Sequence, residues 1–189
     1  MRVVSGELKG RSIETINNQL TRPTSDKVKE SLFNIIGPYF SGGIALDLFA
    51  GSGGLGIEAI SRGVKQAVFI DQQRRAIQVI KKNLVTLKID DQAEVYQNDA
   101  FRALKVLGKR STKFDLIFID PPYEKNYYQR LIGEISKQQI ASSHAIIICE
   151  HDKDQVLPEV VAEFIKHRTE NYGSSIALSI YKRKEENDE

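Results

Sequence analysis

Two short stretches hold residues whose types and order could do chemistry. Asp120-Pro121-Pro122-Tyr123 follows the apolar run Leu116 to Ile119. Two prolines fix φ and remove N–H donors, so the backbone there offers carbonyls in a stiff, extended shape. A carboxylate beside such carbonyls accepts hydrogen bonds and donates none. That array suits a ligand presenting N–H groups, such as the exocyclic amino group of a nucleobase, and Tyr123 adds a ring on which an unpaired base can stack. The plainer alternative is a rigid turn leading out of a sheet.

The second stretch is Asp47-Leu48-Phe49-Ala50-Gly51-Ser52-Gly53-Gly54-Leu55-Gly56. Gly51, Gly53 and Gly56 satisfy the spacing G-x-G-x-x-G, between an expected strand and an expected helix, where glycine lets the backbone approach a ligand closely. Asp71 lies twenty positions after Gly51, at the end of the next expected strand, where a carboxylate can accept both ribose hydroxyls. A nucleoside-containing cofactor is therefore expected. The glycines alone permit a dinucleotide with its pyrophosphate at the helix start. Asp47 before the turn and Asn98-Asp99-Ala100 after the third strand favour S-adenosylmethionine, with Asp47 for its amino group and Asp99 for its adenine.

Together these parts describe one reaction. An amino nitrogen on a base is a poor nucleophile because its lone pair is delocalised into the ring. Asp120 and the Pro121 carbonyl, accepting from its two N–H bonds, would hold it pyramidal and free the lone pair to attack a sulfonium methyl. Asp120 would stabilise the charge that develops and take the proton. No metal is expected to take part.

Positioning these residues calls for strands that alternate with helices, hence a parallel α/β sheet. Strands are expected at Ile44 to Phe49, Ala67 to Asp71, Glu94 to Tyr96, Phe114 to Asp120 and Ala145 to Cys149. Ser175 to Tyr181 alternates as a half-buried antiparallel strand. Helices are expected after Thr24-Ser25-Asp26 (apolar at Val28, Leu32, Ile35 and Ile36, stopped by Gly37-Pro38), from the glycine stretch to about Gly63, along Ile77, Ile80, Leu84 and Leu87, and over Ala100 to Leu107, Tyr127 to Lys137 and Val160 to Ile165. Val3-Val4, Gly6, Gly10 and Ile13 suggest a short N-terminal strand pair. The expected organisation is an N-terminal extension (1–25), one α/β domain (26–182) and a polar tail (183–189).

The 189 residues, 41% hydrophobic and 28% charged, fit one globular domain, and a single cysteine excludes an internal disulfide framework. The longest apolar run, Ala145 to Cys149, is too short to span a bilayer. Met1-Arg2-Val3-Val4 leads straight into Ser5-Gly6-Glu7 with no leader-like segment, so a cytoplasmic location is expected. Basic residues cluster in three places: Met1 to Glu30, Gln72 to Ile89 without an acid, and Phe101 to Phe114 again without one. Such clusters can neutralise phosphates, although solvated helix faces are the commoner reason for them. His144, His151 and His167 have no metal-ligand spacing and read as structural or solvated. Cys149 reads as a buried small hydrophobe, Glu150 as a rim or salt-bridge residue, and Tyr127-Tyr128 as packing at a helix start.

The combination of Asp47 to Gly56, Asp71, Asp99-Ala100 and Asp120 to Tyr123 resembles the class I S-adenosylmethionine-dependent methyltransferases acting on exocyclic amino groups. Two N-terminal runs, Met1 to Arg11 and Thr21-Arg22-Pro23-Thr24-Ser25-Asp26-Lys27-Val28-Lys29-Glu30-Ser31-Leu32-Phe33-Asn34, are similar to the bacterial 16S ribosomal RNA guanine-N2 methyltransferase family. The resemblance implies a Rossmann-like sheet of seven strands, the last antiparallel, with helices on both faces. It implies S-adenosylmethionine as cofactor, held by Asp47, Phe49, Ala50, Gly51, Gly53, Gly56, Asp71, Asp99 and Ala100, and catalysis by Asp120, Pro121, Pro122 and Tyr123. It also implies 16S ribosomal RNA as partner, free or in an assembling or assembled small-subunit particle, met by a monomer. Arg2, Lys9, Arg11, Arg22 and Tyr123 would touch the RNA. Two rival activities remain at this point, an adenine-N6 methyltransferase and an NAD-dependent dehydrogenase on the same glycine loop. The second leaves Asp-Pro-Pro-Tyr without a task.

Overall fold

In the computed structural model, which describes residues 1–16, 25–122 and 126–185, Ser25 starts the first helix. Its side chain accepts from the Val28 N–H at 3.3 Å, and Asp26 adds a negative charge to the first turn of α1 (Asp26–Ile36). Val28, Leu32, Phe33 and Ile36 form the buried stripe, and the Gly37 N–H closes the end on the Phe33 carbonyl at 2.8 Å. Arg22 and Tyr123 lie outside the described residues, as do positions 186–189 of the tail.

The chain divides into two units, Met1–Ala100 and Phe101–Glu189. In the first, β1 (Ile44–Asp47), β2 (Gln66–Asp71) and β3 (Ala93–Gln97) are parallel in the order β3-β2-β1. The register sets Asp47 opposite Phe69 and Asp71 opposite Gln97, at the carboxyl ends of neighbouring strands. Ala67 to Ile70 are all buried, as a strand covered on both faces requires. Between the strands run α2 (Gly54–Ser61) and α3 (Arg74–Leu87), and α3 buries Ile77, Ile80, Leu84 and Leu87 as its spacing predicts.

The N-terminal segment makes a narrower hairpin than expected, with one bridge, Arg2 to Ser12. A buried ionic cluster ties it down. Glu58, on α2 and fully buried, accepts from the Val4 and Ser5 N–H groups at 2.9 and 3.0 Å and from Arg62 Nε at 2.9 Å. Lys29 Nζ, equally buried, lies 3.4 Å from Glu58 and donates to the Arg2 carbonyl at 2.7 Å. Burial pushes the Lys29 pKa down and Glu58 opposes that shift. Charges removed from water persist only when paired and hydrogen-bonded in this way.

The second unit carries the rest of α4 (Ala100–Leu107), then β4 (Phe114–Ile119), α5 (Tyr127–Lys137), β5 (Ala141–Asp152), β6 (Val160–Val161), β7 (Phe164–Tyr172) and β8 (Ile176–Arg183). Its strand order is β4-β5-β8-β7-β6, with β4 and β5 parallel and the C-terminal strands antiparallel.

Several expectations are corrected here. The described residues form eight strands rather than seven, since β6 and β7 occupy the stretch read as the Val160 to Ile165 helix. Val160, Val161, Phe164 and Ile165 have spacing that suits either state. Ala162 takes the left-handed backbone (φ 52), and Val161 pairs with Phe164 across a two-residue turn. The turn and the β-branched pair favour a hairpin. Strand β8 is buried on both faces from Ala177 to Tyr181, not half-buried, and it extends into the expected tail as far as Arg183. The Arg183 guanidinium donates to the Ala141 and Ser142 carbonyls at 3.0 and 3.1 Å.

Candidate active site

The glycine stretch turns at the end of β1, and its shape is set by two carboxylates. Asp71 Oδ2 accepts from the Gly51 N–H at 2.9 Å and Oδ1 from the Gln73 N–H at 2.8 Å. Each oxygen keeps a further acceptor position, and the side chain is only half-buried. Gly51 has φ 56, a backbone that L side chains rarely adopt, and a Cβ there would meet nothing within 4 Å. The turn therefore needs glycine for its backbone and leaves open space above it. Gly56 serves differently, since a Cβ there would lie 2.4 Å from the Phe69 ring. Its task is close packing of helix on strand.

Asp47 is almost wholly buried and accepts from the Gly56 N–H at 3.3 Å. Gly53, the residue capping α2, offers no side-chain acceptor, so Asp47 satisfies one of the helix's unpaired amides from the strand below. Burial raises the Asp47 pKa to about 7, with the Asp71 charge pushing the same way and the Gly56 and Phe49 N–H groups pulling it down. A cation beside this carboxyl would favour its ionised form. Ala50 is buried and its N–H donates to the Ile70 carbonyl at 2.9 Å, whereas Phe49 is half-buried. Beyond β3, the Asp99 N–H is held by Asn98 Oδ1 at 2.9 Å, with Asp99 half-buried and Ala100 buried.

The catalytic candidates belong to the second unit. Asp120 is exposed directly after β4, Pro121 is buried and Pro122 exposed. Helix α5 begins after Asn126, which takes a left-handed backbone (φ 67). Among the described RNA candidates, Arg2 is exposed and paired with Asp26 at 2.8 Å, Arg11 donates to the Thr86 carbonyl at 3.1 Å, and Lys9 is exposed. Lys29, counted with the N-terminal basic cluster, is buried in the Glu58 cluster and faces no solvent. His151 is structural: it is buried between the Asp152 carbonyl and Ser179 Oγ, both at 2.8 Å.

Sequence reasoning missed the support of the glycine loop. Asn83, on α3 and buried, donates to the Ser52 carbonyl at 3.0 Å and exchanges two hydrogen bonds of 2.9 Å with Glu14. Ser52 Oγ accepts from the Ile16 N–H at 3.1 Å. The available signal was a polar residue on the apolar face of α3, level with Ile80 and Leu87. Glu58 gave a similar one, as a lone charge within Ile57-Glu58-Ala59-Ile60.

Comparison with known proteins places the whole chain among similar ones. The chain is 50% identical over 184 residues to YlbH of Bacillus subtilis (strain 168), provisionally named an rRNA methyltransferase, covering 97% of this chain and 100% of that protein. It is 33% identical over 183 residues to ribosomal RNA small subunit methyltransferase D of Escherichia coli (strain K12), covering 97% of this chain and 90% of that one. The solved structure of yhhF from Escherichia coli, provisionally named a methyltransferase, superimposes with a TM-score of 0.84 at 33% identity, covering 97% of this chain and 98% of that one. A family model matches residues 1–182, so the chain belongs to the family described as Conserved hypothetical protein 95.

Proposed function

We propose that the chain transfers a methyl group from S-adenosylmethionine to the exocyclic N2 of a guanine in 16S ribosomal RNA. One observation carries the reading: a single chain joins the Asp47 to Asp71 loop to Asp120-Pro121-Pro122-Tyr123 over nearly the whole length of proteins named rRNA methyltransferases. The guanine N2 target follows from the N-terminal resemblance.

The chain's own groups fit the cofactor. Asp71 has acceptor positions left for ribose hydroxyls, Gly51 leaves room above the turn, and Asp47 is a buried carboxyl that a cationic amino group would ionise. Phe49, Ala50, Gly53 and Gly56 complete the turn, and Asp99 and Ala100 would meet the adenine. When bound, S-adenosylmethionine supplies a methyl on a positively charged sulfur, which departs as a neutral thioether. Asp120 and the Pro121 carbonyl accept from the target NH2 and orient its lone pair, and the Asp120 carboxylate takes the proton it gives up. Pro122 stiffens that corner, and Tyr123 stacks on the base. Arg2, Lys9, Arg11 and Arg22 contact RNA phosphates. The enzyme acts in the cytoplasm as a monomer, on RNA that is free or within a small-subunit particle. In domain terms, residues 1–25 are an RNA-contacting extension on the catalytic domain 26–182.

The test is mass mapping of 16S ribosomal RNA from a strain lacking the gene, followed by treatment of that RNA with purified enzyme and tritiated donor. One guanine should lack its N2 methyl group in the deletion strain and regain it in vitro. Methylation of an adenine instead, or an unchanged methylation map, contradicts the proposal.

A further inference from the structure

Tyr127 and Tyr128 open α5 side by side and take different surroundings. Tyr128 is buried, with its hydroxyl donating to the Glu150 carbonyl and its ring edge-on to His151 at 5.9 Å. Tyr127 is half-buried and meets Phe101, the second residue of α4, edge-on at 5.4 Å. One turn along α5, the Arg130 guanidinium lies 4.8 Å from the Phe101 ring centre and 6.0 Å from that of Tyr127. Arg130 is exposed and, among the described residues, reaches no carboxylate within ion-pair distance. The outward side of α4 continues with Lys105 and Val106, Lys109 follows in the turn after the helix, all three are exposed, and no acid stands between Phe101 and Phe114. Neither lysine pairs with a described carboxylate.

A solvated helix face usually interleaves both signs of charge and keeps its aromatic rings covered. Here two partly open rings, a planar cation over them and a stripe of uncompensated lysines share one surface. Rings accept any base face, and spaced cations follow a phosphate backbone, which together make the chemistry of single-stranded nucleic acid recognition. Tyr127 is seven residues from Asp120, so at most about 25 Å of chain separates this surface from the acceptor corner.

We propose that Phe101, Tyr127 and Arg130 seat an unpaired base near the target guanine, while Lys105 and Lys109 hold the phosphates of the same strand. This rests on the RNA methylation reading above and names the form of its substrate at the contact, a single strand rather than a duplex. Fluorescence anisotropy with a short labelled single-stranded RNA of mixed sequence, and with the same RNA annealed to its complement, tests it. Tyr127→Ala and Arg130→Ala should each weaken single-strand binding about tenfold, and Tyr127→Phe should restore it. The Lys105→Ala/Lys109→Ala pair should reduce the slope of log affinity against log salt by about one. Calorimetric binding of S-adenosylhomocysteine should not change in any variant, which reports an intact fold; the exposed Arg130 decides should Tyr127→Ala not fold. Wild-type single-strand affinity in Arg130→Ala, or tighter binding of the duplex, overturns the proposal. The two readings fail separately. Loss of RNA binding in these variants of an enzyme that methylates no guanine would sink the activity and keep the seat. Methylation with unaltered RNA binding in the variants would do the reverse.

Discussion

The glycine loop of the first unit and the Asp120 corner of the second are built on opposite principles. In the loop almost every polar group already has a task. Asp47 is buried and holds Gly56, Asp71 holds Gly51 and Gln73, and Asn83 and Ser52 tie the turn to α3 and the N-terminal segment. At the corner the carboxylate is exposed, the next residue is a buried proline, and Lys105, Lys109 and Arg130 form no ion pair with a described carboxylate. A cofactor that is the same in every turnover can be met by a preformed, internally satisfied turn. A large polyanionic substrate is better met by groups that keep their charge exposed until it arrives.

That contrast predicts variants with separable effects. Substitution in the scaffold beneath the loop should cost stability. Glu58→Ala strands the Lys29 and Arg62 charges in the interior, and we expect a loss of about 3–5 kcal/mol in urea unfolding. A change under 1 kcal/mol would mean the cluster does not anchor the N-terminal segment. Asp71→Ala removes an acceptor from ligand and loop alike. It should weaken S-adenosylhomocysteine binding by about ten- to a hundredfold in calorimetry, with a smaller effect on single-stranded RNA. Equal losses for both ligands would erase the distinction between the two regions.

The smallest effect concerns pH. The folded Asp47 pKa lies above its unfolded value, so this group contributes stability that is complete below about pH 4 and lost as pH rises through about 7. Asp47→Asn cannot ionise, and its thermal midpoint should fall less than that of the wild type from pH 5 to 8. In the wild type, S-adenosylmethionine should bind more weakly below pH 7, where the carboxyl is protonated. Parallel melting profiles would show that Asp47 stays ionised throughout.

Much of this arrangement was legible because its signals are local. Helix α5 spans Tyr127–Lys137 as expected, and the turn is framed by Asp47 and Asp71 where strand ends put them. The buried cluster was not legible, since Lys29 and Glu58 are 29 positions apart and each alone reads as a solvated charge. Strand β7 was hidden for a related reason. Its Lys166-His167-Arg168-Thr169-Glu170-Asn171 run has no apolar alternation, and pairing with β8 makes it a strand. Long-range pairing overrides local preference in both cases.

The central claim is that the loop binds and the corner reacts. Asp120→Asn keeps the size of the side chain and removes its charge, so measuring single-turnover methyl transfer to 16S ribosomal RNA alongside S-adenosylhomocysteine affinity separates the two tasks. The account predicts transfer slower by at least about a hundredfold with cofactor affinity unchanged. Transfer at the wild-type rate, or a loss of cofactor affinity large enough to explain the slower transfer, would contradict it.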